Sequence, residues 1–248
     1  MRTIDLNCDM GEGCGNDDVL LDYVSSANIA CGFHAGDAET MRRTAELALA
    51  KGVAIGAHPS FPDRENFGRT NMNLSPDEVT DIVSEQIAAM QNVCREIGAK
   101  LNHVKPHGAL YNMAAKDASL AEAIARAVKN FDADLIMYGL SSSFLITEAR
   151  KLGLITASEV FADRTYTAEG TLTPRSQPGA LIDSADESIN QVLQMVEKGT
   201  VTATNGSEVP IDVETICIHG DGPHAVDFAK AIKTRLEQEG IKVCPTQR

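Results

Sequence analysis

No run of about 18 apolar residues, the length that crosses a bilayer as a helix, occurs anywhere in this sequence, so no membrane-spanning helix is expected. Basic residues are scarce. Lys and Arg number 22 against 35 Asp and Glu, a formal net charge of −13. Nucleic acid and anionic membrane both need a basic face, so this balance argues against either as the main partner. By itself an acidic surface mainly serves solubility. C-x-x-C spacing is absent: Cys8, Cys14, Cys31, Cys94, Cys217 and Cys244 lie far apart and are expected as reduced thiols rather than a disulfide framework. The opening residues, MRTIDLNCDM, lack an apolar signal core with a small-residue cleavage site, which makes a cytoplasmic location the expectation. Linkers, low-complexity tracts and close repeats are missing as well. One domain over residues 1–248 is expected, because α/β barrels reach this size undivided.

What the sequence does contain is alternation. Short β-prone runs at 3–7, 27–31, 53–57, 101–105, 135–138, 155–160 and 215–219 are mostly apolar, as in strands buried on both faces of a parallel sheet. Helical patterns separate them. Ser75-Pro76-Asp77-Glu78 reads as a capping box with proline at the first helical position. Val79, Ile82, Val83, Ile87, Met90, Val93 and Ile97 follow at three- and four-residue spacing, and Gly98 ends the run. Ser184 to Glu187 repeats the box before Ile189, Val192 and Val196, with Gly199 at the stop. Further helices are expected over 37–51, 119–129, 142–152 and 223–239. Seven strand-then-helix units imply a parallel (β/α)7 barrel of TIM-barrel type, with an open doubly wound sheet as the alternative. Val243-Cys244 offers at most the stub of an eighth strand. Two connections, 60–74 and 161–182, are long enough to suggest function. A third, 201–211, carries Asn205-Gly206 and reads as a hairpin, expected at the barrel end opposite the site.

Polar clusters fall at the C-terminal ends of these strands, where parallel α/β folds build their sites. They are Asn7 to Gly13, Gly32 to Asp37, Gly56 to Ser60 and His103 to Gly108. Glu159, Asp163, Arg164 and Tyr166 follow strand six, and His219 to His224 follow strand seven. In H-V-K-P-H-G, alternation points His103, Lys105 and His107 to one side. His103 lies lower and suits a structural hydrogen-bonded role. Lys105 at the strand end suits stabilisation of developing negative charge, and His107 suits proton transfer near neutral pH. Asp9, His34 and His58 end three successive strands. One carboxylate and two imidazoles suit a divalent metal or a metal-free acid/base set, and no helical-turn histidine spacing decides between them. Gly11, Gly13 and Gly15 hint at a phosphate cradle, but no P-loop Lys or Ser/Thr follows. Arg64, Arg69, Arg164 and Arg175 in the long loops offer a carboxylate or phosphate contact. Cys31 and Cys217 read as packed thiols.

The motifs D-L-N-C-D-M-G-E, N-I-A-C-G-F-H-A-G-D, G-A-H-P-S-F-P-D, H-V-K-P-H-G-A-L-Y-N, E-V-F-A-D-R-x-Y and H-G-D, taken in this order, resemble the LamB/YcsF family over nearly the whole chain. The resemblance implies a seven-stranded barrel related to glycoside hydrolases and carbohydrate deacetylases. It also implies an A subunit in the ATP-dependent opening of 5-oxo-L-proline to L-glutamate, working with subunits B and C. ATP would be a co-substrate accompanied by Mg2+, and a homo-oligomer is compatible with it. On this reading Asp9, His34, His58, Lys105 and His107 are the candidate catalytic residues. Asn7, Glu12, Arg69, Glu159 and Arg164 are the candidate substrate contacts, and Asp9, His34 and His58 the metal candidates. Two alternatives stay open: a metal-dependent deacetylase-like hydrolase and a non-catalytic substrate-handling subunit.

Overall fold

The computed structural model describes residues 2–220 and 225–246. Seven parallel strands form its centre: β1 (Arg2–Met10), β2 (Ser26–Ala30), β3 (Ala54–His58), β4 (Leu101–Val104), β5 (Ile136–Leu140), β6 (Thr156–Phe161) and β9 (Thr215–Ile218). Each neighbours the next in that order, and β9 pairs back onto β1 with Asp5 opposite Thr215 and Cys8 opposite Ile218. The sheet is therefore a closed barrel, and the open alternative is excluded. β1 is long enough to serve two partners. Its first residues pair in parallel with β10 (Ile241–Val243), and its later ones with β9. β10 is the stub anticipated around Val243.

The alternation along β1 explains how the barrel is filled. Leu6, Cys8 and Met10 belong to the large apolar core. Asp5, Asn7 and Asp9 have the opposite parity and are buried with polar partners from other strands. The interior thus carries a hydrogen-bonded polar column, with a small apolar cluster of Ile136, Tyr138 and Ala157. Asp5 accepts from Ser25, Ser26, Tyr138 and Thr215, and burial still raises its pKa above the ordinary carboxylate value.

Helices α2 (Ala38–Lys51), α3 (Pro76–Ile97), α5 (Ala118–Phe131), α6 (Phe144–Lys151), α7 (Ala185–Lys198) and α8 (Ala225–Gln238) follow the expected runs. The start expected at Pro223 lies outside the described residues. Ser75 and Glu78 close the anticipated capping box on α3, whose buried stripe is Val79, Val83, Ile87, Met90 and Cys94. Gln86 shares that buried face and is polar for a reason given below. Two short helices were not expected: α1 (Asp17–Leu20) and α4 (Gly108–Ala114).

The hairpin forms where expected, from β7 (Thr200–Thr202) and β8 (Glu208–Pro210). It also touches the long connection after β6. The Thr204 N–H donates to the Tyr166 carbonyl at 2.8 Å, and a Cβ on Gly170 would lie 3.3 Å from Val209. The hairpin thereby braces the long connection after β6. No helix among the described residues is long and apolar enough to cross a membrane.

Candidate active site

Lys105 sits at the centre of the polar column although β4 ends one residue earlier. Its N–H donates to the Ala57 carbonyl at 3.0 Å and that of His107 to Pro59 at 2.8 Å. The alternation of β4 therefore continues through Pro106, whose missing donor falls at the position facing away from β3. The buried Lys105 ammonium lies 2.8 Å from Asp9 Oδ1, 2.9 Å from Glu159 Oε1, 3.0 Å from Cys217 Sγ and 3.3 Å from Asn7 Oδ1. Burial works against its charge, yet the Asp9 and Glu159 carboxylates outweigh it and hold the pKa well above the ordinary lysine value. Asp9 mirrors this. Burial opposes its ionisation, but His58 and Lys105 hold its carboxyl well below the usual range. Burial pushes the Cys217 thiol well up, so it is a neutral neighbour of the ammonium.

Beneath Lys105, Asn7 donates to Glu159 at 3.0 Å and to Thr215 at 2.7 Å, and it accepts from Asn28 at 2.7 Å. Asn28 also donates to Asp9 Oδ1 at 2.8 Å and accepts from the His103 Nε2–H at 2.8 Å. His103 is fully buried and stacked on Tyr138 with ring centroids 4.2 Å apart. Burial pushes its pKa down to about 3, so it is neutral. Gly56 makes room for it, because a Cβ there would overlap the His103 ring.

Above this column three imidazoles meet. The rings of His34 and His107 stack at 3.8 Å, and His58 stands edge-on to both. His58 Nδ1 lies 2.7 Å from the Lys105 carbonyl, His107 Nε2 lies 3.0 Å from the Phe67 carbonyl, and His34 Nδ1 lies 2.9 Å from Ser60 Oγ. Each ring turns its other nitrogen inward. Glu12 Oε1 is 3.0 Å from His34 Nε2, 3.3 Å from His107 Nδ1 and 3.8 Å from His58 Nε2. Burial, reinforced by the neighbouring His58, lowers His34 to about 3 and His107 well below the ordinary histidine value. Gln86 of α3 accepts from the Ser60 N–H and donates to the Ser60 carbonyl, each at 2.9 Å. That is why a glutamine occupies the buried face of the helix. Gly68, at φ +66, leaves space where a Cβ would press to 2.9 Å from both His34 and His107.

These groups open on a cavity of about 740 Å³ lined by Asp9, Glu12, His58, Lys105 and His107, with Arg69, Lys116, Arg164 and Arg175 among its walls. The volume suits a small-molecule site. Arg69 is exposed and stacks its guanidinium over Phe67 at 5.0 Å. Arg164 is buried and donates to the carbonyls of Thr173 at 2.6 Å and Ala180 at 3.2 Å, which ties down the long connection after β6. On the far wall His219 Nδ1 lies 2.9 Å from both Asp163 oxygens and the ring stacks on Phe161. Tyr111 of α4 donates to Glu159 Oε2 at 2.7 Å.

The model of the LamB/YcsF family matches residues 4–248. The chain belongs to the LamB/YcsF family. It is 56% identical over 245 residues to the A subunit of 5-oxoprolinase from Bordetella pertussis, 97% of each chain being covered. The crystal structure of a lactam utilization protein from Thermus thermophilus superimposes with a TM-score of 0.92 at 44% identity, covering 98% of this chain and 100% of that one. The catalytic domain of a peptidoglycan N-acetylglucosamine deacetylase from Eubacterium rectale shares the fold at a TM-score of 0.53 and 12% identity, over 99% and 89% of the two chains. This chain therefore shares its barrel fold with that deacetylase domain.

The LamB/YcsF motifs converge here from six strand ends. Asp9, Glu12, His58, Lys105 and His107 all line the cavity, and His34 lies directly behind them. Arg69 and Arg164 also line it, but Arg164 is engaged with loop carbonyls. Arg64 is engaged elsewhere, donating to the carbonyls of Gly32 and Gly36. Asn7 and Glu159, expected as substrate contacts, are fully buried under Lys105 and direct their polar atoms to protein partners. They position the ammonium instead. The metal trio Asp9, His34 and His58 does not assemble as such. The set that converges is Glu12, His34, His58 and His107, whose donor atoms lie within 4.8 Å of one another. Tyr111, Asn28, Asp163 and His219 were not among the candidate site residues. The position of His219 at the end of the last barrel strand was the available signal, whereas α4, which presents Tyr111, was hidden behind a proline-glycine turn pattern. The residues Asp221 to His224 of the cluster after strand seven lie outside the described residues.

Proposed function

We propose that this chain is the A subunit of an ATP-dependent 5-oxoprolinase, a hydrolase that opens the cyclic amide of 5-oxo-L-proline to L-glutamate with ATP and Mg2+ and in concert with subunits B and C. One observation carries the reading: a buried ammonium, Lys105, flanked by Asp9 and Glu159 on the floor of a cavity with Arg69, Lys116, Arg164 and Arg175 on its walls. The 56% identity to a 5-oxoprolinase A subunit supports the choice of substrate.

A lactam resists water because amide resonance leaves a poor electrophile. Transfer of the ATP γ-phosphoryl group to the lactam oxygen releases ADP and leaves an O-phosphorylated, imine-like carbon. Water then adds to that carbon, and cleavage of the ring C–N bond with protonation of nitrogen gives γ-glutamyl phosphate. A second water releases glutamate and phosphate. In this scheme Lys105 faces the oxygen that bears the charge. The substrate oxygen takes the place of the weakest of its contacts, those to Cys217 and Asn7. Asp9 accepts the proton of the attacking water. Its low basicity suffices, because that oxygen becomes strongly acidic as it bonds to the electrophilic carbon. Arg69, exposed at the rim, pairs with the substrate carboxylate.

The test is ATP-dependent glutamate release from 5-oxoproline by the chain reconstituted with its B and C subunits. Lys105→Met is expected to lower turnover by about 10²–10³-fold, the cost of removing one preorganised donor. A melting curve accompanies the assay. Full turnover by a folded Lys105→Met protein would refute the assignment.

A further inference from the structure

We propose that His219, held by Asp163, is the general acid that protonates the ring nitrogen as the lactam C–N bond breaks, a role that rests on the lactam-opening reading above. That step needs a proton on nitrogen, and few groups at the cavity can give one. Lys105 is held between Asp9 and Glu159, and its pKa stands well above the ordinary lysine value. The Tyr111 hydroxyl is committed to Glu159, and burial pushes both it and the Cys217 thiol well up. Each ring nitrogen of His34, His58 and His107 faces Glu12, Ser60, a backbone carbonyl or another of these rings. His103 lies beneath them, fully buried. His219 differs. It lines the cavity, its Nδ1 lies 2.9 Å from both Asp163 oxygens, and its Nε2 has no hydrogen-bond partner among the described residues.

The dyad is built by two neighbouring strands. β6 and β9 pair with Phe161 opposite Cys217, and Asp163 and His219 each follow two residues later. Asp163 Oδ2 also accepts from the His219 backbone N–H at 3.1 Å, and the ring lies on Phe161 with centroids 5.4 Å apart. Burial opposes ionisation of Asp163, but His219 holds its carboxyl below the usual value. An ionised carboxylate only accepts, so Nδ1 carries a proton. As imidazolium the ring pairs with Asp163 and carries its second proton on Nε2, the one free to be given. The other groups around the ring are Asp9 of β1 and Cys217 of β9, with Arg164 and Arg175 on the same cavity wall. A His219 nitrogen, Cys217 Sγ and an Asp9 oxygen lie within 4.8 Å of one another, and Lys105 Nζ is 3.0 Å from the same sulfur. An amide oxygen and its nitrogen stand about 2.3 Å apart, so a lactam with its oxygen on Lys105 turns its nitrogen towards His219. Water addition leaves one carbon bearing hydroxyl, phosphate and ring nitrogen. The C–N electron pair withdraws onto nitrogen, which takes the Nε2 proton and becomes an amine. The hydroxyl oxygen becomes the carbonyl of γ-glutamyl phosphate and gives its proton to solvent, from which the imidazole regains one.

The experiment follows ATP-dependent glutamate release across pH by the chain reconstituted with its B and C subunits, with a melting curve for each variant. His219→Asn is expected to lower kcat by about 10²–10⁴-fold, the usual contribution of a positioned acid, with KM for 5-oxoproline nearly unchanged. An acid that must be protonated gives kcat an alkaline limb. The unsubstituted complex is expected to show that limb and His219→Asn to lack it. Asp163→Asn keeps an oxygen to accept from Nδ1 but removes the charge that pairs with the imidazolium, so it is expected to move the limb to lower pH. That shift carries the test where His219→Asn fails to fold. With an active unsubstituted complex, three results would overturn the assignment: an unchanged kcat in folded His219→Asn, a reduced kcat with the alkaline limb intact, or a limb unmoved in Asp163→Asn. An unsubstituted complex that releases no glutamate would instead overturn the lactam-opening reading, and this role with it.

Discussion

At the scale of single residues, the site depends on what is left out as much as on what is present. Gly56 stands against the His103 ring, which holds Asn28, which in turn holds Asp9 and Asn7. Gly56→Ala is expected to destabilise the protein by about 1–3 kcal/mol through overpacking, read as a shift in chemical denaturation. In a His103→Ala background the same substitution should cost much less. An undiminished cost there would show that the contact is not the cause. Alternation alone made much of this legible: Asn7, Asp9, His103, Lys105 and His107 all have the inward parity that their strands assign. It did not reveal what each inward group spends its bonds on. Asn7 and Glu159 satisfy each other across 152 positions of sequence, and Glu12 joins His34 and His107 only because three strand ends close into a ring. Those pairings depend on strand neighbours, and a single strand's pattern carries no information about its neighbour's register.

At the scale of elements, the seven strands and six longer helices were readable from apolar runs, capping boxes and stop glycines, because these are local signals. α4 was not, since seven residues are too few for a period to declare itself. The long connection after β6 reads only as a loop, yet it carries its own antiparallel bridges between Arg164 and Leu181 and between Tyr166 and Leu172. Its anchor is Arg164, whose pKa burial lowers to about 10 and whose two hydrogen bonds to carbonyls are charge-assisted. Such bonds contribute about 1.5–3 kcal/mol each. Arg164→Ala is therefore expected to raise the rate of proteolytic cleavage within 162–184 by about tenfold or more. Arg164→Lys should not restore resistance, because one ammonium lacks the planar fork that reaches both carbonyls. Equal cleavage of the original protein and Arg164→Ala would show that the hairpin contact, and not the arginine, secures the connection.

At the scale of the whole molecule, the barrel keeps neutral imidazoles in an interior that a net charge of −13 surrounds. That arrangement couples the fold to pH. Burial lowers His34 and His103 to about 3 in the folded chain, while in the unfolded chain both titrate near the ordinary histidine value of about 6.5. Above that value neither state binds the protons and the pair has no effect on stability. Below it the unfolded chain binds two protons that the folded chain does not, so stability falls as pH falls towards about 3. The slope approaches about 1.4 kcal/mol per pH unit for each histidine. The lowered carboxyls of Asp9 and Asp163 act in the same direction but at lower pH, since their contribution is present above the ordinary carboxylate value and is lost as pH falls below it. Denaturation is therefore expected to show a plateau above about pH 7 and a decline that begins near pH 6.5, well before carboxylates titrate. In His103→Gln, which keeps a side-chain donor for Asn28 without a titratable ring, the decline should be shallower by about one proton's worth of slope. A stability curve flat down to pH 5, or a slope unchanged in that variant, would mean that the buried rings take up protons in the folded barrel.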